Sequence, residues 1–425
     1  MLNLYPHQTQ ALTVTSDLTH VAYYHAMGLG KTFTGAEKLK QLGAKVNLVI
    51  CQKSKINDWC THFSTFYPEF KVYDLTDKTK AGKRALEYGF WVNYYNQSVM
   101  PSVLVVNYEL AFRRRELLDL QDFTLMLDES SLIQNDQAKR TKFILRLHAK
   151  NVILLSGTPT GGKYENLWTQ LHLLGWKINK DLFFNQYVNF HYDDTQGFPR
   201  MVIDGYKNEE RLKRKMREHG CHFLRSEEVF DLPEQIDIPI KIPETAAYKK
   251  FKRDRIITLN GKELIGDTTL TKLLYERQLC GLYNADKLEA FTDLVQSTEE
   301  RLIVFYNFTD EWHQLGQITD ILNKPSGVVN GQFKHPEVLD KYDNAVLFVQ
   351  YQAGAMGLNL QKANKIIYYS PPLSSELFEQ SKKRIHRIGQ GRTCFYYYLT
   401  CGIEEKIYKT LAMRRDYTER LFEEG

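Results

Sequence analysis

The chain has 425 residues, 43% hydrophobic and 25% charged, an ordinary globular balance with room for two or three compact domains. Lys and Arg number 56 against 51 Asp and Glu, and the net charge of +5 is too mild to establish a nucleic-acid partner, because that attraction depends on where cations cluster. Six cysteines with no C-x-x-C pair suit neither a zinc site nor a secreted disulfide framework, and neither a leader-like N-terminus nor a run of about 18 apolar residues occurs, so reduced thiols in a cytoplasmic chain with no membrane span are expected.

In chain order, THVAYY (19–24) reads as a strand and is followed by HAMGLGKT (25–32). That stretch ends like the phosphate-binding pattern G-x-x-x-x-G-K-[ST] but opens on His25 where the pattern has glycine. A strand, a tight glycine turn with its N–H groups towards the phosphates and a helix N-terminus together make an anion site. Gly28 and Gly30 supply the close approach, Lys31 would reach the β/γ-phosphates, Thr32 would ligate Mg²⁺, and FTGAEKLKQLG continues as a helix ending at Gly43. His25 is tolerable in the first loop position if its backbone keeps a negative φ.

VNLVI (46–50), SVLVV (102–106), FTLMLD (123–128) and VILLS (152–156) are continuous apolar runs separated by helix-compatible segments, the condition of parallel strands covered on both faces. Asp128 and Glu129 end the third run. Asp128 would hold Mg²⁺ directly or through water, and Glu129 would position and deprotonate an attacking water. SGTP (156–159) is by itself only a polar turn. Arg113 to Arg115, Lys207 to Arg217 and Lys249 to Arg255 are basic clusters.

From about Gly161 to Thr298 the chain is richer in charge and helical periodicity and reads as helical protrusions and a connector. Within it DLPEQIDIPIKIPE, with prolines 233, 239 and 243, cannot be one continuous helix. A boundary near Leu232 gives a first lobe over 1–232, with its protrusion from about 161, and a second over 233–425, with a protrusion at 244–298 and a C-terminal brace helix. The second lobe repeats the strand pattern in LIVFYN (302–307), AVLFVQ (345–350), KIIYYS (365–370) and CFYYYLT (394–400).

In SPPLSSELFEQSKKRIHRIGQ (370–390), Ser374 or Ser375 can cap a helix and Gly389 can end it. On such a helix Gln380, Arg384 and Arg387 stand at i, i+4 and i+7, presenting an amide and two cations from one face. Paired with a phosphate loop in the other lobe, they read as two arginine fingers for a γ-phosphate.

Taken together, these stretches resemble superfamily 2 helicases, specifically the Swi/Snf-type branch of double-stranded DNA translocases. LYPHQ, HAMGLGKT, NLVICQKSKINDW, VLVVNYE, LDESSLIQN, SGTPTGGKYENLW, LIVFYNF, QAGAMGLNL and QSKKRIHRIGQ with CGIEEKIYKTLAMRR are similar to that family's motifs in order. The resemblance implies an α/β fold of two RecA-like parallel-sheet lobes with helical protrusions between them, and a DNA-stimulated ATPase using ATP and Mg²⁺. It further implies that Gln8 reads adenine, that Met27, Gly28, Leu29, Gly30, Lys31 and Thr32 hold the nucleotide, and that Gln380, Arg384 and Arg387 act from the other lobe. Lys53, Ser54 and Lys55, and in the second lobe Asn307, Gln332 and Gln352, fall where family loops touch DNA phosphates.

Two departures stand out. His25 and Ala26 replace two acids, and DESS replaces the commoner DEAH, so a contact usually made by the last histidine is missing. The expected protein is a compact motor on duplex DNA, a monomer on its own or part of a larger complex, in a bacterial cytoplasm or an infected host cell. A strand-separating helicase shares every catalytic motif, whereas a nucleotide-gated clamp would have lost a catalytic side chain, and an ATPase subunit of a restriction, recombination or remodelling assembly fits the absent targeting domains.

Overall fold

The computed structural model describes residues 3–76, 81–194, 199–354 and 358–422. The chain forms two compact units, Met1–Val229 with Asp416–Gly425, and Phe230–Arg415. The sequence reading divided the chain at Leu232 and left the C-terminal end with the second lobe; here residues 416–425 group with the first unit.

In the first unit β1 (His20–His25), β2 (Val46–Cys51), β4 (Ser102–Asn107), β5 (Thr124–Asp128) and β6 (Asn151–Ser156) follow the predicted apolar runs closely, and β3 (Lys71–Asp74) is an edge strand the sequence reading did not include. A hairpin of β7 (Val188–Asp193) and β8 (Arg200–Tyr206) comes next, then β9 (Cys221–Leu224). Seven of these strands form one sheet in the order β3-β4-β2-β5-β6-β1-β9, with every pair parallel. Every residue of β2, β4 and β6 is buried because the sheet is covered on both sides. Alternate residues divide between the two faces: Leu48, Leu104, Leu125 and Leu154 pack in one core, and Val49, Val103, Met126 and Ile153 in the other.

The second unit contains β10 (Gln235–Lys241), a hairpin of β11 (Ile256–Leu259) and β12 (Lys262–Ile265), and then β13 (Leu302–Tyr306), β14 (Ser326–Val329), β15 (Val346–Gln350), β16 (Lys365–Tyr368) and β17 (Cys394–Thr400). Its sheet runs β10-β17-β16-β13-β15-β14, again parallel throughout. The fold class expected from the sequence, two parallel-sheet lobes, is present.

The segment read as helical protrusions and a connector does carry helices, among them Glu209–Glu218 and Thr269–Gly281, but it is not helical alone. It holds two antiparallel hairpins and also supplies an edge strand to each sheet, β9 beside β1 and β10 beside β17. The proline-rich stretch is β10 itself, and Pro239 is tolerated there because an edge strand leaves one side without a ladder partner. All six cysteines are free, and among the described residues no helix is long and apolar enough to cross a membrane.

One buried ion pair fastens the start of the C-terminal helix Ile403–Phe422 to the second unit. Lys287, on helix Ala285–Gln296, places its ammonium 2.8 and 2.6 Å from the two carboxylate oxygens of Glu404, and neither side chain has any exposure. Burial pushes the Glu404 carboxyl up to about 7, against the opposing pull of Lys287. Replacing Lys287 by Met strands a buried carboxylate and should cost about 3–5 kcal/mol in urea unfolding, whereas Lys287→Met with Glu404→Leu should recover most of it. A single-variant loss below about 1 kcal/mol would show that the pair does not anchor this helix.

Candidate functional site

In the first unit, β1 ends at His25 and helix Lys31–Leu42 begins at the far side of a short turn. The turn closes on two glycines in the left-handed region, Gly28 at φ 90° and Gly30 at φ 70°, while His25 keeps a negative φ as the sequence required. Gly30 meets a second constraint, since a Cβ there would lie 2.3 Å from Nε2 of Gln8. Gln8 donates that amide to the carbonyls of Leu29 (3.3 Å) and Gly30 (3.1 Å), and its Oε1 accepts from the Tyr5 N–H at 2.9 Å. His7 adds Nε2 to the Leu29 carbonyl at 3.0 Å; a carbonyl only accepts, so Nε2 carries the proton. Gln8 therefore shapes the loop backbone through the polar groups the sequence reading assigned to adenine.

Lys31 turns its ammonium into this loop, onto the carbonyls of His25 (2.9 Å) and Ala26 (3.3 Å). Burial lowers its pKa, and the carboxylates of Glu129 and Asp128 oppose the drop. The SGTP turn closes over the same point, for a Cβ on Gly157 would stand 3.4 Å from Lys31 Nζ and 3.4 Å from Met27 Cγ. Met27 accepts from Ser226 Oγ at 3.3 Å, Leu29 is buried, and Thr32 lies in the first helical turn.

Asp128 ends β5, and its Oδ2 accepts the indole N–H of Trp59, on helix Ile56–Phe66, at 2.9 Å. Burial raises the Asp128 carboxyl, held back by Trp59 and then Lys31. Glu129 follows in a left-handed conformation, φ 54°, as the N-cap of turn Ser130–Ile133, and Tyr108 Oη donates to the Asp128 carbonyl at 2.9 Å. The first unit thus brings together Gln8, the loop from Met27 to Thr32, Asp128 and Glu129. His25 is wholly buried, with Nε2 2.9 Å from Nδ1 of His222 on β9. One ring must donate and the other accept, so the pair cannot be doubly protonated.

In the second unit the expected helical face of Gln380, Arg384 and Arg387 is a correction. Helix Ser375–Lys382, capped by Ser374 through the Leu377 N–H, stops seven residues short of Gly389, 389−382=7. Only Gln380 is on it, bonded to Glu376 at 3.3 Å. Lys382 fastens the helix end to Asp237 of β10 at 2.8 Å, and the chain beyond continues in irregular turns that long-range bonds tie to the rest of the unit. His386 reaches the Pro233 carbonyl (2.9 Å), Gln390 reaches those of Gln361 (3.0 Å) and Ala363 (2.8 Å), and the Arg384 carbonyl receives the Leu360 N–H (3.2 Å). Arg384 is 3% exposed, while Arg387 is half-buried and bonds Asn359.

The residues expected to touch DNA fall differently. Lys53 and Ser54 are exposed on turn Lys53–Lys55, and Lys55 pairs with Asp58 at 2.8 Å. Gln332 and Gln352 are exposed, but Asn307 spends its amide on the carbonyls of Ser370 (3.1 Å) and Pro371 (2.9 Å). Part of the QAGAMGLNL motif, residues 355–357, lies outside the described residues.

Comparison with known proteins follows the same outline. The model of the SNF2-related domain matches residues 8–282, and that of the helicase conserved C-terminal domain matches 286–389. The chain belongs to the SNF2-related family. A Bacillus subtilis protein named as an ATP-dependent helicase/translocase is 25% identical over 93% of this chain and 46% of its own length. A Mycoplasma pneumoniae protein named as an uncharacterized ATP-dependent helicase is 24% identical over 93% of this chain and 39% of its own length. The chain therefore spans less than half the length of these curated relatives. A solved Sulfolobus solfataricus SWI2/SNF2 ATPase core in complex with dsDNA aligns over 98% of this chain and 92% of that one, at 19% identity and a TM-score of 0.46.

Sequence reasoning missed Trp59, His7 and His222 in this SNF2-related site. Trp59 had a signal, a tryptophan within NLVICQKSKINDW, and so had His7 within LYPHQ, but His222 becomes a partner only through folding. The buried imidazoles also give the first unit a pH dependence. Burial lowers the pKa of His25 and of His222, and takes His62 to about 4 from an ordinary 6.5. A depressed histidine contributes stability that is complete above its unfolded pKa and lost as pH falls through the folded one. The melting temperature should therefore drop from pH 6.5 towards about 4, less steeply in His62→Phe. Profiles of equal slope for the two proteins would contradict the assignment to His62.

Proposed function

We propose that this SNF2-related chain is a motor that couples ATP hydrolysis to movement along duplex DNA. The observation that carries the reading is the Lys31 ammonium, held in a glycine turn under the influence of Asp128 and Glu129. Gly28, Gly30 and the N-terminus of helix Lys31–Leu42 would cradle the phosphates, with Lys31 exchanging its carbonyl partners for phosphate oxygens. Among the described residues no His, Cys, Asp and Glu side chains gather in threes to hold a metal by themselves. A hydroxyl and a carboxylate, Thr32 and Asp128, are the hard oxygen donors that Mg²⁺ uses beside phosphate oxygens, and the ion would neutralise phosphate charge. Glu129 would orient and deprotonate water, and Arg384 and Arg387 of the second unit are assigned to turnover.

For nucleic acid, the first unit offers a groove of about 510 Å³ lined by Arg115, Lys139, Lys142 and Arg146 with Phe112 and Phe143, and with no acid in its walls. Such a field suits phosphate rather than base recognition, which favours tracking over sequence reading. Strand separation is the second reading, and displacement of a labelled strand from a fork distinguishes it. Whether the chain works alone or in a larger assembly is decided by its mass in solution and by capture from its host.

Phosphate release should require Lys31 and rise with duplex DNA more than with RNA. Arg387→Ala should lower turnover about 10³-fold with ATP affinity little changed. Binding to duplex should weaken steeply with salt, and Arg115→Ala with Lys142→Ala should each lower the log–log slope by about 1. Preference for RNA, or turnover unchanged in Arg387→Ala, would overturn the respective assignments.

A further inference from the structure

The DESS sequence leaves the acid loop without the histidine contact of DEAH, yet that loop is bonded to the SGTP turn by another route. Gln170, on helix Trp168–Leu173, is fully buried between them. Its Nε2 donates to the Pro159 carbonyl at 2.8 Å, and its Oε1 accepts from Ser130 Oγ at 2.7 Å and from Tyr24 Oη at 3.1 Å. A carbonyl can only accept, so the Pro159 contact fixes which way the amide points and leaves Oε1 for the two hydroxyls. Ser130 and Tyr24 are themselves fully buried, so water does not compete for any of the three bonds.

Each arm ends beside a group of the proposed ATPase centre. Ser130 follows Glu129, whose left-handed backbone must be held by its surroundings. Tyr24 precedes His25 at the end of the strand that delivers the phosphate loop. Pro159 belongs to the turn whose Gly157 closes on Lys31 and Met27. A second amide strengthens the same turn, Gln134 Nε2 reaching the Pro159 carbonyl at 3.3 Å while Asn166 bonds Gln134 Oε1 at 2.9 Å and the Thr160 carbonyl at 2.9 Å.

We propose that Gln170 is a positioning residue for hydrolysis: its side-chain amide locks the Glu129 loop, the end of β1 and the SGTP turn into one register, so that water activation and phosphate contact are set together. The assignment rests on the ATPase reading above. It makes Gln170 act through Ser130 and Pro159 and gives it no contact with nucleotide.

The test compares kcat and KM for ATP in the wild-type chain, Gln170→Leu, Ser130→Ala and the double variant, with and without duplex DNA. Misplacing the acid loop by a fraction of an ångström should lower kcat of Gln170→Leu about 10- to 100-fold while KM stays within about threefold. Because the two residues act through one bond, the double variant should lose no more than Gln170→Leu alone. Should Gln170→Leu fail to fold, Gln170→Glu keeps the size and an acceptor but removes the donor to Pro159, and should show the same fall in kcat. A lowered melting temperature with kcat per folded molecule unchanged, or strictly multiplicative single effects, would overturn the proposal. A wild-type chain that releases no phosphate with any nucleic acid would instead remove the ATPase reading, and this assignment with it.

Discussion

The ammonium of Lys31, drawn inward onto two backbone carbonyls and balanced by two carboxylates, is the contact around which the first unit is organised. A partly buried cation is costly unless its surroundings are polar and fixed. Four chain segments meet that requirement together: the turn after β1 supplies the carbonyls, the end of β5 supplies the acids, the SGTP turn covers the ammonium, and the N-terminal helix holds the turn through Gln8 and His7. The parallel sheet makes the meeting possible, because β1, β5 and β6 are neighbours running the same way and their carboxyl ends deliver these loops to one edge.

The second unit solves a different problem with the same chemistry. Its signature segment leaves helical geometry at Lys382, and long-range bonds from His386, Gln390 and Arg384 carry it onwards. A continuing helix would have projected the arginines as a row. Here they belong to a turn whose shape depends on residues far away in the chain, so Arg384 is enclosed and Arg387 reaches Asn359. The order imposed by the ion pair Lys287–Glu404 is similar in kind, since it fixes where the C-terminal helix starts by joining residues 117 positions apart.

What could be read from the sequence follows from this difference in range. Continuous apolar runs located every strand of the two sheet centres, since full burial on both faces leaves few other solutions, and Gly30, Lys31 and Gly43 marked the loop and its helix by local geometry. β9 and β10 escaped notice because an edge strand needs neither continuous apolarity nor an uninterrupted ladder, and β10 alternates charge and proline on its more exposed face with isoleucine on the other. The helical spacing of Gln380, Arg384 and Arg387 misled for the converse reason: a period describes what a segment can do alone, and tertiary bonds to Pro233 and Ala363 decided otherwise.

The replacement of acids at the head of the loop shows how a motif can change chemistry while its backbone is preserved. A carboxylate at the end of β1 would add negative charge beside the place where Lys31 gathers its partners. The imidazoles of His25 and His222 fill that space and pair with each other instead, and burial keeps them from charging near neutral pH. The carboxylates opposing the loss of charge on Lys31 are then Asp128 and Glu129, both from the β5 end. Because Ser130 is adjacent to Glu129 and bonded through Gln170 to the turn that covers Lys31, the acid side of the centre and its cover are tied by buried bonds. Neutral polar pairs thus hold the loops at both motifs, with Lys31, Asp128 and Glu129 as the charged core.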